Sequence, residues 1–139
     1  MNTKKILADF TIWSLPPTVN NLYGYVRGSV YKKTKVRSWQ SLTIKQMEQE
    51  WGQRPPITSR VKMKLELTST TRRKWDLDNR IKVLQDCLER AGVIKNDGQI
   101  WKIEAERKLG SRESTRIEIS EYVAETEWRN SERQRTRHV

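Results

Sequence analysis

The sequence predicts a single α+β domain: a mixed or antiparallel sheet of four to six strands, two principal helices packed on it, and a basic hairpin near the N-terminus. Three observations carry this. A chain of 139 residues has the size of about one domain, since domains commonly run roughly 100 to 150 residues. Four stretches alternate apolar and polar residues with the period of two that a half-buried strand requires. Two others space apolar residues three and four apart, the repeat of a helix buried on one side.

In chain order, Ile6, Ala8, Phe10 and Ile12 alternate with Leu7, Asp9 and Thr11 and stop at Pro16-Pro17, giving a first strand. Asn20-Asn21 opens a Tyr- and Gly-rich stretch, residues 23–33, where Gly28 can turn one short strand into another. Ser38 is the expected N-cap of a first helix over residues 39–51, with Trp39, Leu42, Met47 and Trp51 on one face and Gly52 with Pro55-Pro56 as the stop. Val61, Met63, Leu65 and Leu67 alternate with Lys62, Lys64 and Glu66 as a second strand. Ile81, Leu84, Leu88 and Ala91 form the stripe of a second helix, with Asp78 as N-cap and Gly92 as the C-terminal glycine. Asn96-Asp97-Gly98 is a turn. Trp101, Ile103 and Ala105 then alternate with charged residues, and Gly110 turns the chain back into Thr115, Ile117 and Ile119 as a terminal antiparallel pair. The domain is therefore expected over residues 1–124. Residues 125–139, rich in arginine and without apolar period, read as a frayed or disordered basic tail.

Composition narrows the function. Lysine and arginine number 28 against 17 aspartates and glutamates, a formal charge of +11 that suits a polyanionic partner. A single cysteine, Cys87, cannot form an intrachain disulfide or a Cys-rich zinc site, and the one histidine, His138, is too far toward the tail for a catalytic triad or dyad. The six glycines spell neither nucleotide-binding loop motif, so no nucleotide cofactor is expected. No apolar run approaches the ~20 residues of a membrane span, and a soluble, cytoplasmic protein without a targeting segment is expected.

Between Phe10 and Met47 there is no acid at all. Arg27, Lys32, Lys33, Lys35, Arg37 and Lys45 lie there, interleaved with Tyr23, Tyr25, Tyr31 and Trp39, a pattern that can grip phosphates and stack on unpaired bases. The expected DNA-binding surface also takes in Arg72, Arg73, Lys74 and Arg80. The plainer alternative is a solvated basic loop.

A sharper constellation is Asp76-Leu77-Asp78-Asn79, followed by Lys82 and Asp97. In an extended segment residues i and i+2 point the same way, so Asp76 and Asp78 can offer two carboxylates to one hard cation such as Mg2+. Lys82, one turn above Asp78, can pair with a carboxylate or reach a phosphate. The plainer alternative leaves Asp78 as a cap, Asp76 paired with its basic neighbours and Asp97 in a mere turn. Arg80 and Ile81 stand where a calcium EF-hand needs Asp or Asn and then Gly, which excludes that loop. A helix over residues 79–91 carries the chain about 20 Å away at ~1.5 Å per residue. Extended residues 92–97 can just cover that distance back. Asp97 thus serves its own subunit's site or a neighbour's.

At these residues the chain resembles the RusA family of Holliday-junction resolvases. The block D-L-D-N-R-I-K over residues 76–82, then Asp86, Ala91-Gly92 and Asp97, is similar to that family's D-x-D-N-x-x-K motif and its downstream acidic turn. The segment L-P-P-T-V-N-N-L-Y, residues 15–23, resembles the family's Pro-Pro and Asn-rich stretch. One position departs: Asn96 stands where the family commonly has the first of two adjacent acids. The resemblance implies a homodimeric, Mg2+-dependent endodeoxyribonuclease of bacterial or phage origin, with Mn2+ as a substitute ion. Such an enzyme resolves four-way DNA junctions by paired symmetric nicks in recombination and repair. It further implies Asp76, Asp78 and Asp97 as metal-binding carboxylates and Lys82 as the catalytic lysine. Two other readings compete with it: a non-catalytic nucleic-acid-binding module with a basic surface, and an assembly protein that neutralises packaged nucleic acid.

Overall fold

The computed structural model describes residues 5–17, 26–75 and 77–124, with the side chains of residues 26–33 and 79 left aside. Within them lie four strands and two helices: β1 (Ile6–Ile12), α1 (Val26–Trp51), β2 (Val61–Ser69), α2 (Asp78–Arg90), β3 (Ile100–Leu109) and β4 (Ser114–Glu121). The strands form one mixed sheet in the order β1-β4-β2-β3. β4 is antiparallel to both β1 and β2, while β3 is parallel to β2. Parallel neighbours need a crossover, and α2 supplies it as a βαβ unit.

Strand alternation decides which face is buried. Phe10 and Ile12 of β1, Val61, Met63, Leu65 and Leu67 of β2, and Ile117 and Ile119 of β4 form one apolar face. Met47 and Trp51 of α1 and Leu84, Cys87 and Leu88 of α2 close the core against it. The opposite face is charged, with ion pairs Lys62–Glu104 at 2.9 Å, Arg116–Asp9 at 2.9 Å and Lys108–Glu66 at 3.2 Å. After α2 the chain turns at Gly92, whose φ of +79° favours a residue without Cβ, and the amides of Val93 and Ile94 bond back to the Leu88 carbonyl.

Three sequence-based expectations change. The basic hairpin is not formed where the chain is described: residues 26–33 belong to α1, which begins at Val26 and not after Ser38. Nothing between Lys32 and Trp51 breaks a helix, and Ser38 is simply an exposed interior position. The buried stripe of α1 is Val36, Gln40, Thr43, Met47 and Trp51, while Leu42 is 71% exposed. Two polar residues in that stripe concealed it.

Nor do β3 and β4 pair, because β2 lies between them. The connection at residues 110–113 passes over the end of β2, where the Gly110 amide bonds the Ser69 carbonyl at 3.0 Å. A Cβ on Gly110 would stand 2.6 Å from Thr68 Cγ2, so a larger residue there would have to displace the Thr68 side chain. Asn20-Asn21, Tyr23, Tyr25 and the expected tail at 125–139 lie outside the described residues. No described helix is long and apolar enough to cross a membrane.

Candidate active site

β2 ends at Ser69, and the chain crosses to α2 through exposed Arg72, Arg73 and Lys74 and half-buried Trp75. Leu77, packed against the core, already has helical angles (φ −64°, ψ −45°) and occupies the N-cap position without a side-chain cap. Asp78 is therefore the first helical residue and not the N-cap expected from the sequence. Its carboxylate is exposed and makes no capping bond, in the turn where unpaired backbone N–H groups favour an anion. Lys82, four residues on, is exposed as well. Asp76 lies outside the described residues.

Two cations pack on Trp75. Arg80 Cζ lies 4.2 Å and Arg107 Cζ 4.4 Å from the ring centroid. Arg80 Nη1 donates to the Pro16 carbonyl at 2.6 Å, tying α2 to the Pro-Pro segment. Burial lowers the Arg80 pKa; Glu113 opposes that shift and Arg107 adds to it. Arg107 Nη2 donates to the Thr71 carbonyl at 2.8 Å and to Ser69 Oγ at 3.3 Å. Sequence reasoning missed Arg107. The sequence shows only that Arg107 breaks the apolar series Ile103, Ala105; the fold adds that its position is in register with fully buried Leu67.

The turn bearing Asp97 is built differently. Asn96 Oδ1 accepts from the Gly98 amide at 2.7 Å, and Gln99 Oε1 accepts from the amides of Lys95 and Asn96 at 2.7 and 2.8 Å. Gln99 Nε2 donates to the carbonyls of Ile57 and Ser59 at 2.7 and 2.9 Å, just before β2 begins. Asn96, the position of the departure from the family pattern, thus caps a short 3-10 turn over Asp97–Gln99. Asp97 is exposed, with no partner among the described residues.

Asp78 and Asp97 are not brought together within one subunit. The 13 residues of α2 rise about 20 Å. Afterwards Ile94 bridges Ile57 and the Lys95 amide bonds the Ile57 carbonyl, which holds the chain at the start of β2, far from its end. Among the described residues no three His, Cys, Asp or Glu side chains are grouped as a metal site. The uncommitted carboxylates are hard oxygen donors of the kind Mg2+ takes. Cys87 is no soft alternative, because burial pushes its thiol up to about 12, with Asp86 adding to the shift.

The other predicted residues are placed as follows. Lys35, Arg37 and Lys45 are exposed on α1, as are Arg72, Arg73 and Lys74 in the loop before Trp75. Arg27, Lys32 and Lys33 belong to the first part of α1, their side chains being outside the described set. Asp86 is structural: it accepts from Gln40 at 3.0 Å and pairs with Arg90 at 3.4 Å, joining the two helices.

Comparison with known proteins agrees with the motif. The family model described as Endodeoxyribonuclease RusA matches residues 14–120. A curated relative from Aquifex aeolicus (strain VF5), named Crossover junction endodeoxyribonuclease RusA, is 33% identical over 88 residues, which is 61% of this chain and 69% of the relative.

Proposed function

This chain belongs to the RusA family of endodeoxyribonucleases, and from that premise we propose that it is a Mg2+-dependent homodimer that resolves four-way DNA junctions by paired nicks in recombination and repair. One observation carries the detailed reading: of two uncommitted carboxylates, Asp78 stands at the start of α2 and Asp97 on the 3-10 turn beyond its other end. A two-fold axis can bring opposite ends together. β3 is the sheet edge suited to it, since Trp101, Ile103 and Leu109 are 59%, 40% and 54% exposed there. If β3 meets its symmetry mate antiparallel and edge to edge, the start of one strand, carrying Asp97, faces the finish of the other, next to the partner's acidic loop.

In this reading Asp76, Asp78 and the partner's Asp97 hold the ion. When bound, Mg2+ supplies the Lewis acidity for phosphodiester hydrolysis, with no histidine base required. Helix α2 fixes Asp78 relative to Lys82, whose ammonium stands one turn away to stabilise charge that grows on the phosphate. Arg72, Arg73 and Lys74 hold neighbouring backbone phosphates in the ground state, and exposed Lys35 and Arg37 extend that grip. The open surroundings of Asp78 let solvent reach the phosphorus.

Subunit mixing on a four-way junction tests the proposal. Asp78→Asn and Asp97→Asn should each be inactive alone with Mg2+. Co-expressed, half of the dimers are mixed and each has one intact composite site, so about a quarter of wild-type site activity returns, as single nicks. A mixture that stays inactive rejects the shared site. Wild-type protein that binds junctions yet never cuts with Mg2+ rejects the nuclease and favours the non-catalytic binding module.

A further inference from the structure

Arg107 occupies an unusual position for its charge. It stands at the far end of β3 in register with buried Leu67, on the side of the sheet that carries the helices. Its Cζ and that of Arg80 both lie within 4.4 Å of the Trp75 centroid, so the two guanidinium groups are no further apart than those two distances together. Like charges this close repel unless an anion shares them. Among the described residues neither makes an ion pair; exposed Glu113 lies near enough to favour the charge on Arg80 but is a single acid, outnumbered by Arg80, Arg107 and exposed Arg72, Arg73 and Lys74, with the positive end of α2 adding to the excess. Meanwhile Arg107 is held in place: Nη2 is committed to Ser69 and Thr71 and its Cζ lies against the ring of Trp75. Its Nε and Nη1 have no hydrogen-bond partner among the described residues. A fixed guanidinium with free donors fits a phosphate oxygen pair.

We propose that Arg107 is a phosphate-positioning residue, its guanidinium oriented by Trp75, Ser69 and Thr71 to receive a backbone phosphate of the DNA strand entering at the Asp78 end of the site. The inference rests on the nuclease reading and adds to it a residue outside the acidic motif. Arg80, bonded to Pro16, supplies the second charge and anchors the ring.

The test measures junction and linear-duplex binding across a salt series without divalent cation, together with thermal melting. Arg107→Gln removes the charge and should lower the slope of log K against log salt by about 0.9, while weakening binding about tenfold at 0.1 M salt. Its melting temperature should fall by no more than a few degrees, because two hydrogen bonds and the contact with Trp75 are lost while repulsion from Arg80 is relieved. Arg107→Lys keeps the charge but not the fork; it should keep the slope and lose about two- to fivefold in affinity. An unchanged slope in a folded Arg107→Gln protein overturns the proposal. Should that variant not fold, Arg107→Lys with wild-type affinity overturns it equally. Because these readings need no cleavage, the two ideas fail separately: a wild type that binds without cutting sinks the nuclease and leaves the Arg107 slope to be judged. A wild type that cuts beside an Arg107→Gln variant of unchanged slope sinks Arg107 alone.

Discussion

The turns that carry Asp78, at the start of α2, and Asp97, seven residues beyond the finish of α2, are built in opposite ways. At the first end Asp78 starts the helix without a cap, among exposed basic residues and next to a tryptophan carrying two guanidinium groups. At the other, Asp97 sits on a 3-10 turn closed by a capping box and bonded to the segment before β2. One end concentrates positive charge for a ligand; the other offers a carboxylate on a rigid, nearly neutral support. Among the described residues neither end groups three acids. The contrast explains why the shared-site reading joins them.

Removing the acid at the charged end should have the largest effect. Asp78→Asn should lower single-turnover cleavage by at least about 10³-fold, since an anionic ligand is lost with shape preserved, while junction binding holds or tightens as repulsion of phosphate falls. Quench-flow cleavage beside an equilibrium binding titration checks this. Lys82→Ala should come next, with about 10²-fold lost in the cleavage rate of bound junction and only a few-fold in Kd. A large affinity loss with unchanged rate would make Lys82 an ordinary phosphate contact.

The rigid end answers to a different measurement. Gln99→Ala removes the four hydrogen bonds that fasten the Asp97 turn and should destabilise the fold by about 2 kcal/mol in urea unfolding. Cleavage should fall because Asp97 is no longer presented. Full activity in that variant would end the claim that the turn's rigidity matters. The smallest effect belongs to Asn96→Asp, which keeps the oxygen that caps Gly98. Stability should change by less than about 0.5 kcal/mol, with cleavage retained. A large gain in cleavage would mean that position 96 does offer an ion ligand when acidic.

Much of this could be read from local pattern. The alternation from Val61 to Leu67 shows directly as burial along β2, and Ile81, Leu84, Leu88 and Ala91 mark the packed side of α2. The acidic motif was visible because Asp76, Asp78 and Lys82 fall at a spacing that local geometry can interpret. What escaped depended on contacts between distant residues. Gln40 and Thr43 face inward on α1 because Gln40 bonds the Val83 carbonyl and Asp86 on the other helix, and no apolar period announces that. The order of strands was hidden too: nothing in residues 100–121 says that β2 will insert between β3 and β4. For Asp97, chain-length arithmetic allowed either subunit, and the Ile57–Ile94 bridge is what removes the path back. Trp75 with Arg107 joins a loop to a strand 32 positions away in the numbering, beyond the reach of any spacing rule.

The placement of β1 has a consequence for how the chain acquires this shape. Among the described residues β1 is hydrogen-bonded to one strand, β4, so Ile6–Ile12 has its sheet partner more than a hundred residues downstream, with Asp9 and Arg116 clasped across the pair. On a ribosome, β2, α2 and β3 can collapse while β1 waits as an unpaired strand. Closing so long a loop is slow, which makes the β1–β4 pairing a late folding event and leaves Phe10 and Ile12 open to aggregation until β4 emerges.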